Sequence, residues 1–186
     1  MYQALMEKWN PKINLVSRST LPEVWHRHFA DSAQLWRHTP DSAQKWLDFG
    51  SGAGFPGLLN AVLAKEKSPT LEFVLVESDK RKCAFLASVT RELGLNAKIV
   101  PERIEGLDSQ QADIITARAV APLERLLDLA VPHGRKSTVM LFPKGNNYES
   151  ELTAARNHWH IDPSVIQSLT DSGSVILRIE DIERAS

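Results

Sequence analysis

The chain has 186 residues, 42% apolar and 24% charged, which fits one globular domain and removes disordered and fibrous readings. No apolar run approaches the roughly 20 residues that span a bilayer. The start, MYQALMEKWNPK, lacks the basic and apolar regions of a secretion signal. A net charge of −1 disfavours binding to nucleic acid by bulk charge, and the lone Cys83 excludes an internal disulfide framework and suits a reducing cytoplasm.

Residues 2–9 read as the tail of a helix broken at Asn10-Pro11, because proline disfavours helix in the residue before it. A second helix is expected from Thr20, where Thr20 and Glu23 have capping-box spacing and Pro22 falls in the first turn; it should run to Trp36. From Lys45 the texture changes to alternating strands and helices. Strands are expected at 45–50, 71–78, 97–101, 112–117 and 137–142, and helices at 56–66, 80–94 and 123–131, with Gly94 as a C-terminal stop. A helix at Tyr148–His158 and a hairpin of 164–169 with 174–182, turned at Asp171-Ser172-Gly173, complete the chain. Near-continuous apolar strands alternating with helices predict a doubly wound, mostly parallel α/β sheet covered on both faces. The expected organisation is a single domain over 1–186, with a helical part at 1–40 and a core at 45–186.

The stretch LDFGSGAGFPG (47–57) lies at the first strand–helix turn, where open α/β sheets bind ligands. Gly50, Gly52 and Gly54 remove Cβ atoms so that the chain can turn tightly and a ligand can approach the backbone. The spacing is G-x-G-x-G, not the G-x-G-x-x-G of a dinucleotide site. Pro56 deletes an N–H that a pyrophosphate would use, and Phe55 adds bulk. Such a loop suits an uncharged or zwitterionic group better than a pyrophosphate, which favours S-adenosyl-L-methionine over NAD. Glu77, at the end of the second strand, stands where an acid can accept from ribose hydroxyls, or it pairs with Lys80 or Arg81 on the surface. Asp48, in the first strand, is costly to bury unless it hydrogen-bonds, for example in orienting the loop or the cofactor's amino group.

WNPKINLVS (9–17), HFADS (28–32), DFGSGAGFPG (48–57), VESDKRKCAFL (76–86), ARAVAPL (117–123) and FPKG (142–145) together resemble, in order and spacing, the RsmG (GidB) family of bacterial N7-guanine methyltransferases of 16S ribosomal RNA. The resemblance runs from about Trp9 to the end of the chain. The glycine loop alone is shared by many methyltransferases; its G-F-P-G extension with HF-x-DS upstream and ARA downstream is far more specific. Eight residues precede Trp9, a shorter helical lead than is usual in the family. The resemblance implies a class I S-adenosylmethionine-dependent, Rossmann-like fold with a seven-stranded sheet and a short N-terminal helical part. It implies as acceptor a guanine in the 530 loop of 16S rRNA. The expected partner is that RNA, free or in the small ribosomal subunit, and the enzyme is expected to be cytoplasmic and monomeric. Carried over by motif, Gly50 and Phe55 contact the cofactor, Glu77 holds its ribose, Ile104 and Glu105 flank its adenine, and Arg118 lies beside its methionine end or the incoming RNA.

Guanine N7 carries an in-plane lone pair, so its methylation requires no general base, and no nucleophile–base constellation stands out in the sequence. Positioning roles fall to Arg118, Lys144 and His28. Arg118, at a strand end amid Ala and Val, calls for an anionic partner, either a ligand or a structural carboxylate. Lys144 either reaches RNA phosphate or is an ordinary exposed lysine. His28 and Asp31, three apart, either position the loop and RNA or lock the N-terminal helices together. No metal site is expected among the six histidines and Cys83. Two other readings stay open: a small-molecule methyltransferase, and a non-catalytic adenosine- or NAD-binding module.

Overall fold

The computed structural model describes residues 1–185. Helix α1 (Tyr2–Ile13) is followed by a 3-10 segment (Arg18–Glu23), a π turn (Trp25–Ala30), the short α2 (Asp31–Ala33) and a second 3-10 segment (Gln34–His38). The core alternates β1 (Lys45–Phe49), α3 (Gly57–Lys67), β2 (Glu72–Val76), α4 (Lys80–Leu93), β3 (Ala97–Val100), β4 (Ala112–Thr116), α5 (Leu123–Ala130), β5 (Gly134–Lys144), α6 (Tyr148–Ala155), β6 (Trp159–His160), β7 (Ser164–Gln167), β8 (Val175–Ile179) and β9 (Glu183–Arg184).

Seven strands form one sheet in the order β3-β2-β1-β4-β5-β8-β7. The β1, β2, β3, β4 and β5 pairings are parallel, whereas β8 runs antiparallel to β5 and to β7. The order reverses between β1 and β4, so the loops leaving these strands part in opposite directions and open a crevice between them. Alternation along each strand divides the core in two. Trp46, Phe73, Leu75, Ile114 and Leu141 pack with α3, α4 and the N-terminal elements, while Leu47, Phe49, Val74, Ile115 and Phe142 pack with α5 and α6. Each of these fully buried side chains contributes on the order of 1.5–3 kcal/mol to folding.

Helix α4 has the ends its sequence suggests. Asp79 accepts from the Arg81 and Lys82 amides at the start, and Gly94, at φ 59°, closes the end. The N-terminal part departs from expectation. Helix α1 continues through Pro11 to Ile13, because its buried stripe of Tyr2, Met6 and Asn10 extends into that last turn, where Asn10 Oδ1 accepts from the Val16 amide. The N–H that Pro11 lacks would have bonded Glu7, which lies on the exposed side. The Thr20–Glu23 capping box does not form: Thr20 Oγ1 instead donates to the Ser17 carbonyl. The following turns switch between 3-10, π and α spacing instead of making one helix. The two-residue pair of β6 with β9 is too short to leave a periodic signal in the sequence.

Candidate active site

The glycine loop leaves β1 at the reversal point, with Gly50, Gly52 and Gly54 at φ 65°, 54° and 89°, values that favour glycine. Beyond φ, the glycines differ in what surrounds them. A Cβ on Gly50 would strike Val120 of the loop after β4, and one on Gly54 would strike Tyr2 and Leu58. A Cβ on Gly52 would meet nothing nearer than the Gly50 carbonyl oxygen at 3.8 Å. Gly52 is therefore the position where the loop's backbone borders open space.

The carboxylate of Glu77, just past β2, spans this loop and the start of α4. Its Oε2 accepts from the Gly52 amide at 2.9 Å and its Oε1 from the Asp79 amide at 2.8 Å. Glu77 is buried and makes no ion pair with Lys80 or Arg81; Arg81 pairs with Asp79 instead. Each Glu77 oxygen keeps lone-pair capacity for a further donor. Below the loop, Trp46 Nε1 donates to Thr116 Oγ1 at 2.9 Å, and Thr116 Oγ1 donates to Asp48 Oδ1 at 2.6 Å, joining β1 to β4. The other Asp48 oxygen has no hydrogen-bond partner among the described residues. Burial pushes the Asp48 carboxyl up to about 6, against the lowering effect of the Thr116 and Ser51 hydroxyls. Ser51 Oγ donates to the Asp48 carbonyl, so Asp48 shapes the loop from beneath.

The N-terminal part closes over the loop through aromatic and charged contacts. Tyr2 donates its hydroxyl to the Ala53 carbonyl at 2.6 Å and stacks on Phe55 with centroids 5.6 Å apart. His28 stacks on Phe55 at 5.3 Å, and the Arg118 guanidinium lies 5.4 Å from the same ring. Arg118 Nη1 donates to Asp31 Oδ2 at 3.0 Å, and its Nη2 contacts His28 Nδ1 at 3.1 Å. Arginine only donates, so His28 Nδ1 bears the lone pair and Nε2 donates to Thr20 Oγ1. Burial, and then the neighbouring Arg118 charge, hold His28 down at about 4. The imidazole is neutral at physiological pH.

Beside the loop, a cavity of about 480 Å³ is lined by Arg118, Val120, Pro122, Lys144 and Glu151 together with residues of β8. Val120 belongs both to this wall and to the cover over Gly50, so the cavity adjoins the glycine loop.

The family model for rRNA small subunit methyltransferase G matches residues 1–177. The chain belongs to that family. A relative from Cereibacter sphaeroides named ribosomal RNA small subunit methyltransferase G is 49% identical over 179 residues, covering 96% of this chain and 86% of its own length. Among solved structures, a SAM-dependent methyltransferase from Aquifex aeolicus superposes with TM-score 0.63 at 14% identity, over 85% of this chain and 93% of its own. TYW2 of M. jannaschii, solved in complex with AdoMet, gives 0.61 at 17% identity, over 94% of this chain and 80% of its own. These likenesses give the fold as the class I methyltransferase fold.

Within the chain the predicted residues divide into three groups. The glycine loop and Glu77 are joined by hydrogen bonds around the open face at Gly52. Phe55 is buried by the N-terminal part, so its ring serves as the floor on which Tyr2, His28 and Arg118 rest. Ile104 and Glu105 sit in a turn after β3, where Ile104 is buried in the same half of the core as Val76 and Glu105 pairs with Arg125 at 3.1 Å.

For Arg118, and for His28 with Asp31, the structure shows the structural one of the two alternatives, and for Lys144 it departs from the exposed one. Arg118 already has its anion in Asp31, and the pair is partly buried. His28 and Asp31 act together as its receptor, so they lock the N-terminal turns to the loop after β4. Lys144 is not an exposed lysine: its side chain is 8% exposed and its ammonium donates to Glu151 Oε2 at 2.7 Å and the Ala121 carbonyl at 3.0 Å. With its charge spent inside the fold, it is poorly placed to catch phosphate. Tyr2, Thr116 and Glu151 were not singled out from the sequence. No spacing rule marks them: the partners of Tyr2 and Thr116 lie far along the chain, and those of Glu151 are a distant backbone amide and a lysine on the preceding strand.

Proposed function

We propose that this chain transfers a methyl group from S-adenosyl-L-methionine to N7 of a guanine in the 530 loop of small-subunit ribosomal RNA. The observation that carries this reading is the match of the family model for rRNA small subunit methyltransferase G over residues 1–177. The site's own residues fit the donor: Gly52 leaves a cradle that a Cβ would fill, and Glu77 stands over it with spare acceptor capacity for ribose hydroxyls. Gly50, Gly52, Gly54 and the Phe55 backbone would line the donor, with Ile104 and Glu105 toward its adenine. Bound there, it supplies an electrophilic sulfonium methyl that guanine N7 can take on its lone pair with no prior loss of a proton, leaving the positive charge on the base. The protein's work is then positioning and exclusion of water.

Arg118 acts in this reading as a positioning residue. Anchored by Asp31 and His28, it fixes the ARAVAPL loop, and with it Val120, against Gly50. Among the described residues no helix is long and apolar enough to cross a membrane, and we place the enzyme in the cytoplasm as a monomer acting on rRNA or the small subunit. Two measurements test the reading. S-adenosylhomocysteine should raise the melting temperature and NAD should not; the reverse favours a dinucleotide module. Labelled S-adenosylmethionine should mark 16S RNA from a strain lacking the modification, and label confined to small molecules would refute it.

A further inference from the structure

We infer that Glu151 reads the Watson–Crick edge of the acceptor guanine, an assignment that rests on the methyltransferase reading above. The cavity beside the glycine loop, about 480 Å³, has room for a purine nucleotide. Its wall holds two carboxylates, and they differ in what they have left to offer. Asp31 has both oxygens engaged: Oδ1 accepts from Gln34 and Thr170, and Oδ2 is held by the Arg118 guanidinium. Gln34 is spent as well, donating to Asp31 and Ser168 and accepting from the Leu169 amide.

Glu151 is arranged differently. Its Oε2 accepts from the Leu123 amide at 2.7 Å and from Lys144 at 2.7 Å, which fixes the carboxylate from one side. Its Oε1 takes no hydrogen bond among the described residues, and the side chain is 25% exposed at the cavity. A carboxylate offers only acceptors, so the complementary partner is a ligand edge with adjacent donors. Guanine has that edge in N1–H and the exocyclic N2 amine. Adenine would turn the N1 lone pair toward Glu151, acceptor against acceptor, and be rejected. The contact also serves the reaction: as N7 takes the methyl, the ring gains positive charge and its N–H groups become stronger donors. The hydrogen bonds to Glu151 therefore tighten toward the transition state. Lys144 and the Leu123 amide hold Glu151 in place, which explains a lysine turned inward beside an RNA enzyme's cavity.

The test compares the full chain with Glu151→Gln on two RNAs, 16S RNA with its natural acceptor guanine and the same RNA carrying inosine there. Inosine keeps N7 and N1–H and lacks the N2 amine. In Glu151→Gln the amide oxygen can still accept from Leu123 and Lys144, while its NH2 faces N1–H donor to donor. The expected results are a loss of roughly 30-fold or more in kcat/KM for guanine RNA in the variant and a loss of roughly tenfold for inosine in the parent. The variant should then treat the two RNAs alike within about twofold, with S-adenosylhomocysteine affinity unchanged and the melting temperature lowered because the buried Lys144 ammonium loses its counter-charge. A variant that loses activity equally on both RNAs while still preferring guanine would overturn the assignment in favour of a purely structural Glu151, whatever its melting temperature. Were Glu151→Gln not to fold, the parent alone decides, and equal rates on guanine and inosine overturn it. No label in either RNA sinks the methyltransferase reading itself, and so is distinct from normal parental activity that Glu151→Gln leaves intact.

Discussion

Replacing Gly52 by alanine separates a ligand-facing loop from a merely tight turn. The left-handed φ of 54° at this position costs an alanine about 1–2 kcal/mol. The smaller entropy of the unfolded alanine chain returns about 0.4–1 kcal/mol of that. The new methyl strikes nothing, since its nearest neighbour is the Gly50 carbonyl oxygen at 3.8 Å. The net cost to folding is therefore about 1 kcal/mol, a fall of roughly 2–4 °C in melting temperature for a chain of this length. The methyl does occupy the space assigned to the cofactor, and overpacking of that kind costs about 1–3 kcal/mol, or roughly 5- to 150-fold in affinity. Gly50→Ala makes the control, because its Cβ would strike Val120 and the penalty falls on folding as well. Calorimetric titration with S-adenosylhomocysteine, paired with thermal unfolding, measures both quantities. Gly52→Ala binding within twofold of the parent would refute the placement of the cofactor against Gly52.

Arg118→Ala removes a partly buried ion pair and the charge over Phe55. It should cost about 2 kcal/mol in urea unfolding, because the pair's partial exposure keeps it below a fully buried one. RNA turnover should fall at least tenfold beyond what that destabilisation explains, with cofactor affinity held; equal losses would make the arginine purely structural. Tyr2→Phe deletes the donor to a buried Ala53 carbonyl and should cost about 1–2 kcal/mol, with faster amide exchange confined to the glycine loop. The third variant concerns pH. Asp48 holds its proton in the folded state up to about 6, while the unfolded chain releases it near 3.8. Its contribution to stability therefore declines as pH rises through that window. His28, held at about 4 against 6.5 when unfolded, contributes fully above 6.5 and loses that contribution as pH falls toward 4. The two slopes oppose each other, so Asp48→Asn should expose the His28 slope and make the variant's stability fall more steeply than the parent's between pH 6.5 and 4. Parallel stability curves for parent and variant would show that Asp48 titrates normally.

The sheet and its crevice were legible in the sequence because they rest on local signals. Apolar runs of strand length, glycine at Gly94 and the spacing of the glycines in the loop each report a backbone requirement at their own position. Glu77 was legible for the same reason, as an acid at a strand end facing the loop. The N-terminal turns were not. Whether Pro11 ends a helix depends on what the far side of α1 packs against, and the Thr20 hydroxyl could either accept from a helix amide or donate to the Ser17 carbonyl. Lys144 was misread because its burial is decided by α6, which brings Glu151 beneath it. Arg118 was recognised as a cation in search of an anion. Only the fold shows that the anion is Asp31, and that the arginine's service is to hold two segments together across the mouth of the site.

The most direct test maps the methyl group itself. Unmodified 16S RNA, free and in assembled small subunits, is incubated with the protein and labelled S-adenosylmethionine, and the modified nucleotide is located by borohydride reduction and aniline cleavage, which cut at N7-methylguanine. A single cut at a guanine in the 530 loop, weakened at least fivefold by Gly52→Ala at limiting cofactor, is the predicted result. Label on an exocyclic amine or a ring carbon, or none on RNA at all, would contradict it.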